Sequence, residues 1–107
     1  MKNILFLCSQ NKLRSPTAEK IFKENKNINV QSAGLDIDAK NKITNELIDW
    51  ADLILVMEKR HKNKLQKKFK KNSKGKKIFV LNIPDEYDYM DKGLITVLKR
   101  VVPKYIN

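Results

Sequence analysis

With 107 residues, 41% of them hydrophobic, the chain has material for one modest core, which excludes both a two-domain enzyme and a disordered chain; residues 1–107 are expected to form one domain. Its 23 Lys and Arg against 12 Asp and Glu give a formal charge of +11, which attracts phosphorylated molecules, nucleic acids or acidic lipid and concerns association more than fold. The single cysteine leaves no internal disulfide and no CxxC metal site, and the apolar run Ile4 to Cys8 is far too short to span a bilayer, so a reduced, cytoplasmic protein with no membrane partner is expected.

Asn3 to Cys8 is a short, mostly apolar stretch ended by polar residues, which predicts a strand buried on both faces of a parallel sheet. A helix follows from Ser15-Pro16: proline suits the first helical position, Ser15 is the natural N-cap, Ala18, Ile21 and Phe22 repeat at helical spacing, and Glu19 stands near the first turn, where a carboxylate favours the helix dipole. Ile28 to Ala33 predicts a second strand stopped by Gly34, and Leu35 to Lys42 reads as a loop. Ile43, Leu47, Ile48 and Ala51 predict a short helix, and Leu53 to Met57 a third strand, with Trp50 and Met57 in the core.

From Glu58 to Phe69 the chain turns charged and predicts a solvated helix whose inner stripe is only Leu65 and Phe69, with His61 in solvent. Lys67 to Lys77 holds seven lysines with Ser73 and Gly75 and reads as a helix end followed by an exposed turn. Lys77 to Ile83 predicts the fourth strand, and Lys92 to Val102 a last helix limited by Pro103. Strand and helix in alternation predict an α/β fold of three layers, a four-stranded parallel sheet flanked by helices, with ligands outside the carboxyl ends of the strands. Cys8 and Asp85 both fall at that rim.

Between the first strand and its helix lies Cys8-Ser9-Gln10-Asn11-Lys12-Leu13-Arg14-Ser15. Five residues between Cys8 and Arg14 suffice to close a loop whose successive backbone amides converge on an anion, with the positive end of a helix behind it. A phosphate-binding loop after the first strand is therefore expected, occupied by inorganic phosphate or a similar anion. A thiol is nucleophilic as the thiolate, which a nearby arginine and a helix N-terminus favour, so Cys8 is the candidate nucleophile. Arg14 offers a planar, permanently charged fork for two phosphate oxygens, and the Ser15 hydroxyl can donate to the sulfur as resting thiolate and as leaving group. The leaving group needs a proton from an acid at the rim; Asp85 is the candidate, with Asp88 and Asp91 in the same loop left open by spacing alone. Tyr87 and Tyr89 are placed to wall a cleft for a flat phosphorylated ring. This chemistry requires no metal or cofactor.

The chain resembles the low-molecular-weight protein tyrosine phosphatases, and more closely their short bacterial branch. The match begins at Ile4-Leu5-Phe6-Leu7-Cys8, runs through Asn11, Arg14-Ser15-Pro16 and Ala18-Glu19, and resumes at Ser32-Ala33-Gly34, Asp52 to Glu58 and Asp85-Glu86-Tyr87. The resemblance implies a phosphomonoester hydrolase with a phosphocysteine intermediate, acting on phosphotyrosine in protein or on a small aryl phosphate. It implies Cys8 as nucleophile, Arg14 as phosphate clamp, Ser15 as partner of the thiolate, Asn11 as an internal brace and Asp85 as general acid. It also sets Gln10 where the larger family has glycine, and Asp85-Glu86 where it has Asp-Pro.

Two other readings compete. An arsenate reductase of similar fold needs further cysteines, and only Cys8 is present. A non-catalytic phosphate- or phosphopeptide-binding module, or a nucleic-acid binder using Lys67 to Lys77, is the alternative from another class; apart from Phe69 no aromatic is interleaved with those lysines, which argues against nucleic acid.

Overall fold

The computed structural model describes residues 1–106. β1 (Lys2–Cys8) is buried from Ile4 onward and lies inside a parallel sheet of order β2-β1-β3-β4, with β2 (Ile28–Gly34), β3 (Leu53–Val56) and β4 (Lys77–Val80). Side chains alternate across a strand, so β1 feeds two cores at once. Ile4, Phe6 and Cys8 join Leu53, Leu55 and Met57 beneath α1 (Arg14–Phe22) and α5 (Lys92–Val101), which contribute Ala18, Leu94 and Leu98. Leu5 and Leu7 join Ile54 and Val56 on the opposite face, under α2 (Asn45–Trp50) and α3 (Lys59–Lys68), which contribute Ile48 and Leu65. Two short helices, α4 (Lys70–Ser73) and α6 (Pro103–Ile106), complete the layers. This is the expected α/β fold, three layers deep.

The strand order positions the site. From β1 the chain crosses to β2 on one side, and β3 returns on the other, so the carboxyl end of β1 opens between diverging connections where ligands of such sheets bind.

Several local expectations change. The α1 helix starts two residues early, at Arg14, with Leu13 in the N-cap position and no side-chain cap; Ser15 lies inside the first turn with its hydroxyl beside the Cys8 sulfur. No acid stands in that first turn, and the Glu19 carboxylate accepts from Ser32 of β2 instead. The fourth strand stops at Val80 and not Ile83, since Asn82 takes a left-handed φ of 58°, although the amides of Leu81 and Ile83 still donate to Val56 and Met57. Lys70–Ser73 is a helical turn where an exposed turn was expected, and Pro103 opens a further turn as well as bounding α5, its fixed φ suiting a first helical position. Trp50 is half-buried and packs on the edge of its core, whereas Met57 is fully buried.

Candidate active site

The loop from Cys8 to Arg14 is shaped from outside. The carbonyls of Cys8, Ser9 and Gln10 accept from the amides of Leu35 (3.0 Å), Asp36 (2.8 Å) and Lys40 (2.9 Å), all in the segment after β2. A trans peptide places each carbonyl opposite the next residue's N–H, so these bonds turn the amides of Ser9, Gln10 and Asn11 toward the concave side. The Asn11 amide indeed points 3.3 Å from the Cys8 sulfur. Gly34 permits the close approach: a Cβ there would lie 2.6 Å from the Ser9 oxygen and 2.9 Å from the Gln10 carbonyl carbon.

The left-handed position of the loop is Asn11, with φ 57°, and not Gln10. Asparagine tolerates that region, so glutamine at position 10 carries no such penalty. Asn11 is 4% exposed, and its side-chain amide donates to both Ser15 Oγ and Ser32 Oγ at 2.9 Å. The Ser15 hydroxyl lies 2.9 Å from the Cys8 sulfur and 3.4 Å from the Ala33 carbonyl, and its proton can go to either. The sulfur thus accepts from the Asn11 amide and has the Ser15 hydroxyl within hydrogen-bond reach, an arrangement that can serve a thiolate.

Arg14 is 2% exposed, and its charge is held by protein on one side: Nη1 donates to the Ile83 carbonyl at 2.7 Å and lies 3.3 Å from Glu58 Oε1, while Nε is 3.8 Å from Asp85 Oδ1. Burial raises the Glu58 carboxyl, but the Arg60 hydrogen bond and the charges of Arg14 and Arg60 prevail and hold it below the usual carboxylate range. Asp36, bonded to Lys64, is likewise lowered. Cys8, Ser9, Gln10, Lys12, Leu13 and Arg14 line a cavity of about 410 Å³, whose rim is completed by Asp36, Arg60 and Asp85. Gln10 and Lys12 are exposed at its mouth, Leu13 and Ser9 half-buried.

Asp85 therefore stands at the rim beside Arg14, 58% exposed. Of its rivals, Asp91 is occupied in capping α5 through Gly93 and Leu94, and Asp88 does not line the cavity. Tyr87 and Tyr89 do not line it either: Tyr87 packs against the core beside Gly93, and Tyr89 is about half exposed on the surface. The expected aromatic walls are replaced by polar and charged side chains.

Sequence reasoning missed the support behind the loop. His61, expected in solvent, is 1% exposed; its Nδ1 accepts from the Glu58 amide at 3.0 Å, and its Nε2 lies 3.0 Å from Ser9 Oγ. With Nδ1 committed as acceptor, the neutral ring carries its proton on Nε2 and donates it to Ser9. Burial first, then the charges of Arg14 and Arg60, draws its pKa down to about 4. The available signals were the i, i+4 spacing of His61 and Leu65, which continues the inner stripe toward the pocket, and the position of Glu58 just past β3, the strand that pairs with β1.

Among the described residues no group of three or more His, Cys, Asp and Glu is placed to hold a metal, and no helix is long and apolar enough to cross a membrane. Residues 3–50 match the family profile described as low molecular weight phosphotyrosine protein phosphatase. A curated protein-arginine-phosphatase from Bacillus subtilis (strain 168) is 32% identical over an alignment covering 63% of this chain and 63% of that protein's length. Among solved structures, the YwlE arginine phosphatase from Geobacillus stearothermophilus is 25% identical with a TM-score of 0.75, covering 97% of this chain and 92% of its own. Vibrio vulnificus Wzb in complex with benzylphosphonate is 25% identical with a TM-score of 0.70, covering 92% and 90%. The matched stretch, a little under half of the chain, is the one that builds the anion loop and its brace, and over that stretch the chain is similar to the low molecular weight phosphotyrosine protein phosphatases.

Proposed function

We propose that the chain is a cysteine-dependent phosphatase of phosphorylated proteins, with Cys8 as nucleophile. The observation that carries the reading is the Cys8 sulfur in the cavity, with the Asn11 amide donating to it at 3.3 Å, the Ser15 hydroxyl 2.9 Å away and Arg14 lining the same cavity. A phosphoryl group seated there has its non-bridging oxygens toward the loop amides and Arg14. The Cys8 thiolate forms the S–P bond as the bond from phosphorus to the leaving atom breaks, and Asp85 gives that atom its proton. Water then attacks the phosphocysteine and surrenders a proton to Asp85. The S–P bond breaks, inorganic phosphate leaves, and the sulfur regains its negative charge under the Ser15 hydroxyl.

The test is hydrolysis of a chromogenic aryl phosphate by the wild type, Cys8→Ser and Asp85→Asn, with inorganic phosphate as a competitive inhibitor. Cys8→Ser is expected to abolish turnover. Asp85→Asn is expected to slow it by roughly 10²-fold or more, less for substrates with good leaving groups. Equal rates in all three proteins reject the reading, and unchanged turnover in Asp85→Asn alone moves the acid role to another group.

The match of residues 3–50 to the phosphotyrosine protein phosphatase profile supports phosphotyrosine as the substrate. A second reading, phosphoarginine, is favoured by a cavity lined by no aromatic residue and carrying two carboxylates, Asp36 and Asp85, at its rim, and by the activity of the Bacillus relative. Matched peptides bearing phosphotyrosine or phosphoarginine decide between them: a kcat/KM ratio beyond about tenfold assigns the substrate.

A further inference from the structure

The charge of this chain is not spread over it. Between Lys59 and Lys77 stand eleven Lys and Arg and no Asp or Glu, while the remaining 88 residues carry twelve of each sign. The whole formal excess of +11 therefore belongs to α3, α4, the turn after them and the first residue of β4. A general drift of composition toward lysine would raise the count everywhere, and here the rest of the chain is neutral.

The fold turns this stretch outward. His61 and Leu65 take the inner face of α3, eight of the eleven cations are exposed and the other three half-buried. Arg60 pairs with Glu58, Lys64 with Asp36, and Lys76 donates to the carbonyls of Asp49 and Ala51 at the end of α2; the other eight lysines carry no ion pair among the described residues. Such a surface opposes the helix it lies on. Lys59 and Arg60 sit in the first turn of α3 against the dipole, and Arg60, Lys64 and Lys68 repel one another at i, i+4. Its position ties it to the site: Arg60 lines the cavity, and Lys64 holds Asp36, another rim residue. A cationic track thus leaves the cavity mouth and descends one flank of the molecule.

We infer that the α3–α4 surface docks an acidic segment of the phosphorylated protein whose phosphate enters the Cys8 cavity. Continuity with the cavity favours a polypeptide that reaches both. No large apolar side chain is exposed between Lys59 and Lys77, which leaves nothing to insert into a lipid surface and no aromatic face for a nucleobase to stack on. From Arg60 to Lys68 the helix rises about 12 Å, which an extended peptide spans in about four residues. The acids that dock are then within about six positions of the phosphorylated residue, on one side of it.

This rests on the phosphatase reading, so its test has an arm that needs no turnover. In the kinetic arm, phosphopeptides with Glu or Gln flanks are compared on the wild type, on Lys67→Gln/Lys68→Gln/Lys70→Gln/Lys71→Gln, and on the same four positions changed to Arg. The expected result is a KM roughly tenfold lower for Glu flanks in the wild type, with kcat unchanged. That preference is lost in the Gln variant and kept in the Arg variant, while para-nitrophenyl phosphate is hydrolysed equally by all three. In the binding arm, a fluorescein-labelled, unphosphorylated Glu-rich peptide is titrated by anisotropy onto Cys8→Ser, where binding is expected to weaken with salt and to fall in the Gln variant. No hydrolysis of any substrate rejects the phosphatase reading and leaves the binding arm to judge the surface. Equal KM for both flanks, or equal peptide binding by the wild type and the Gln variant, overturns the docking proposal. So does duplex DNA of equal charge binding more tightly than the peptide at about 0.15 M salt, which assigns the surface to nucleic acid.

Discussion

Replacing Gly34 by alanine tests whether the phosphate loop is held in shape from outside. The new methyl carbon would meet Ser9 O at 2.6 Å, Ala39 Cβ at 2.6 Å and the Gln10 carbonyl carbon at 2.9 Å, whereas ordinary contact begins at 3.4 Å. Two of these three neighbours are backbone of the loop itself, so relief requires that backbone to move by about 0.8 Å, the difference between 2.6 and 3.4 Å. Overpacking of this kind costs about 1–3 kcal/mol, or a Tm lower by roughly 5–15 °C in a chain of this size. The larger effect is on turnover. A shift approaching 1 Å in amides that face the transferring phosphoryl group is expected to cost roughly 10- to 100-fold in kcat, beyond anything that partial unfolding explains at a temperature well below Tm. The assay is aryl phosphate hydrolysis at 20–25 °C, with circular dichroism to confirm folding. A Gly34→Ala protein with wild-type kcat and Tm would show that the β2 connection does not set the loop, and the account of its converging amides would fall.

Two further predictions concern groups around the sulfur. Ser15→Ala removes the hydroxyl 2.9 Å from the Cys8 sulfur; kcat should fall by roughly 10–100-fold with the fold intact, and alkylation of Cys8 by iodoacetate near neutral pH should slow, while equal alkylation rates would deny that the hydroxyl serves the thiolate. His61 has a folded pKa lowered to about 4 from 6.5, so as pH falls the unfolded chain takes up the proton first. Its contribution is complete above pH 6.5 and is lost as pH falls from 6.5 toward 4. Full linkage would amount to about 3 kcal/mol, which solvent screening around Arg60 and Glu58 reduces to roughly 2. Urea unfolding at pH 7 and pH 4.5 should therefore show a steeper loss for wild type than for His61→Gln, which keeps the Asp36 acid and its Lys64 bond; parallel losses would refute the assignment.

The basic unit of the site was legible because it is local. The run from Ile4 to Cys8, the six-residue step to Arg14 and the Ser15-Pro16 helix start state a strand, a loop and a helix in order, and backbone geometry alone brings Cys8 and Arg14 around one concavity. The alternation of strand and helix likewise announced the parallel sheet, since short connections of that kind have few other solutions. Errors clustered at polar residues whose partners are distant. Ser15 was read as a cap because a serine before proline usually serves its own helix, and only the folded chain sets its hydroxyl beside the Cys8 sulfur of β1. Tyr87 and Tyr89 were assigned to the cleft by their nearness to Asp85, but the loop's path sends one into the core and the other to the surface.

By itself the sequence determined the order of elements, the placing of Cys8 and Arg14 at the two ends of one loop, and the concentration of positive charge between Lys59 and Lys77. The tertiary structure alone decided that His61 lies beneath Ser9, that Ile83 and Glu58 hold Arg14 while Asp85 lies near its Nε, and that the charged helix starts at the cavity mouth. The division has one physical reason. Hydrophobic periodicity and turn chemistry act between neighbours in the chain, whereas the burial and bonding of a polar side chain depend on which strand lies beside it, and β3 reaches β1 only when the sheet is assembled.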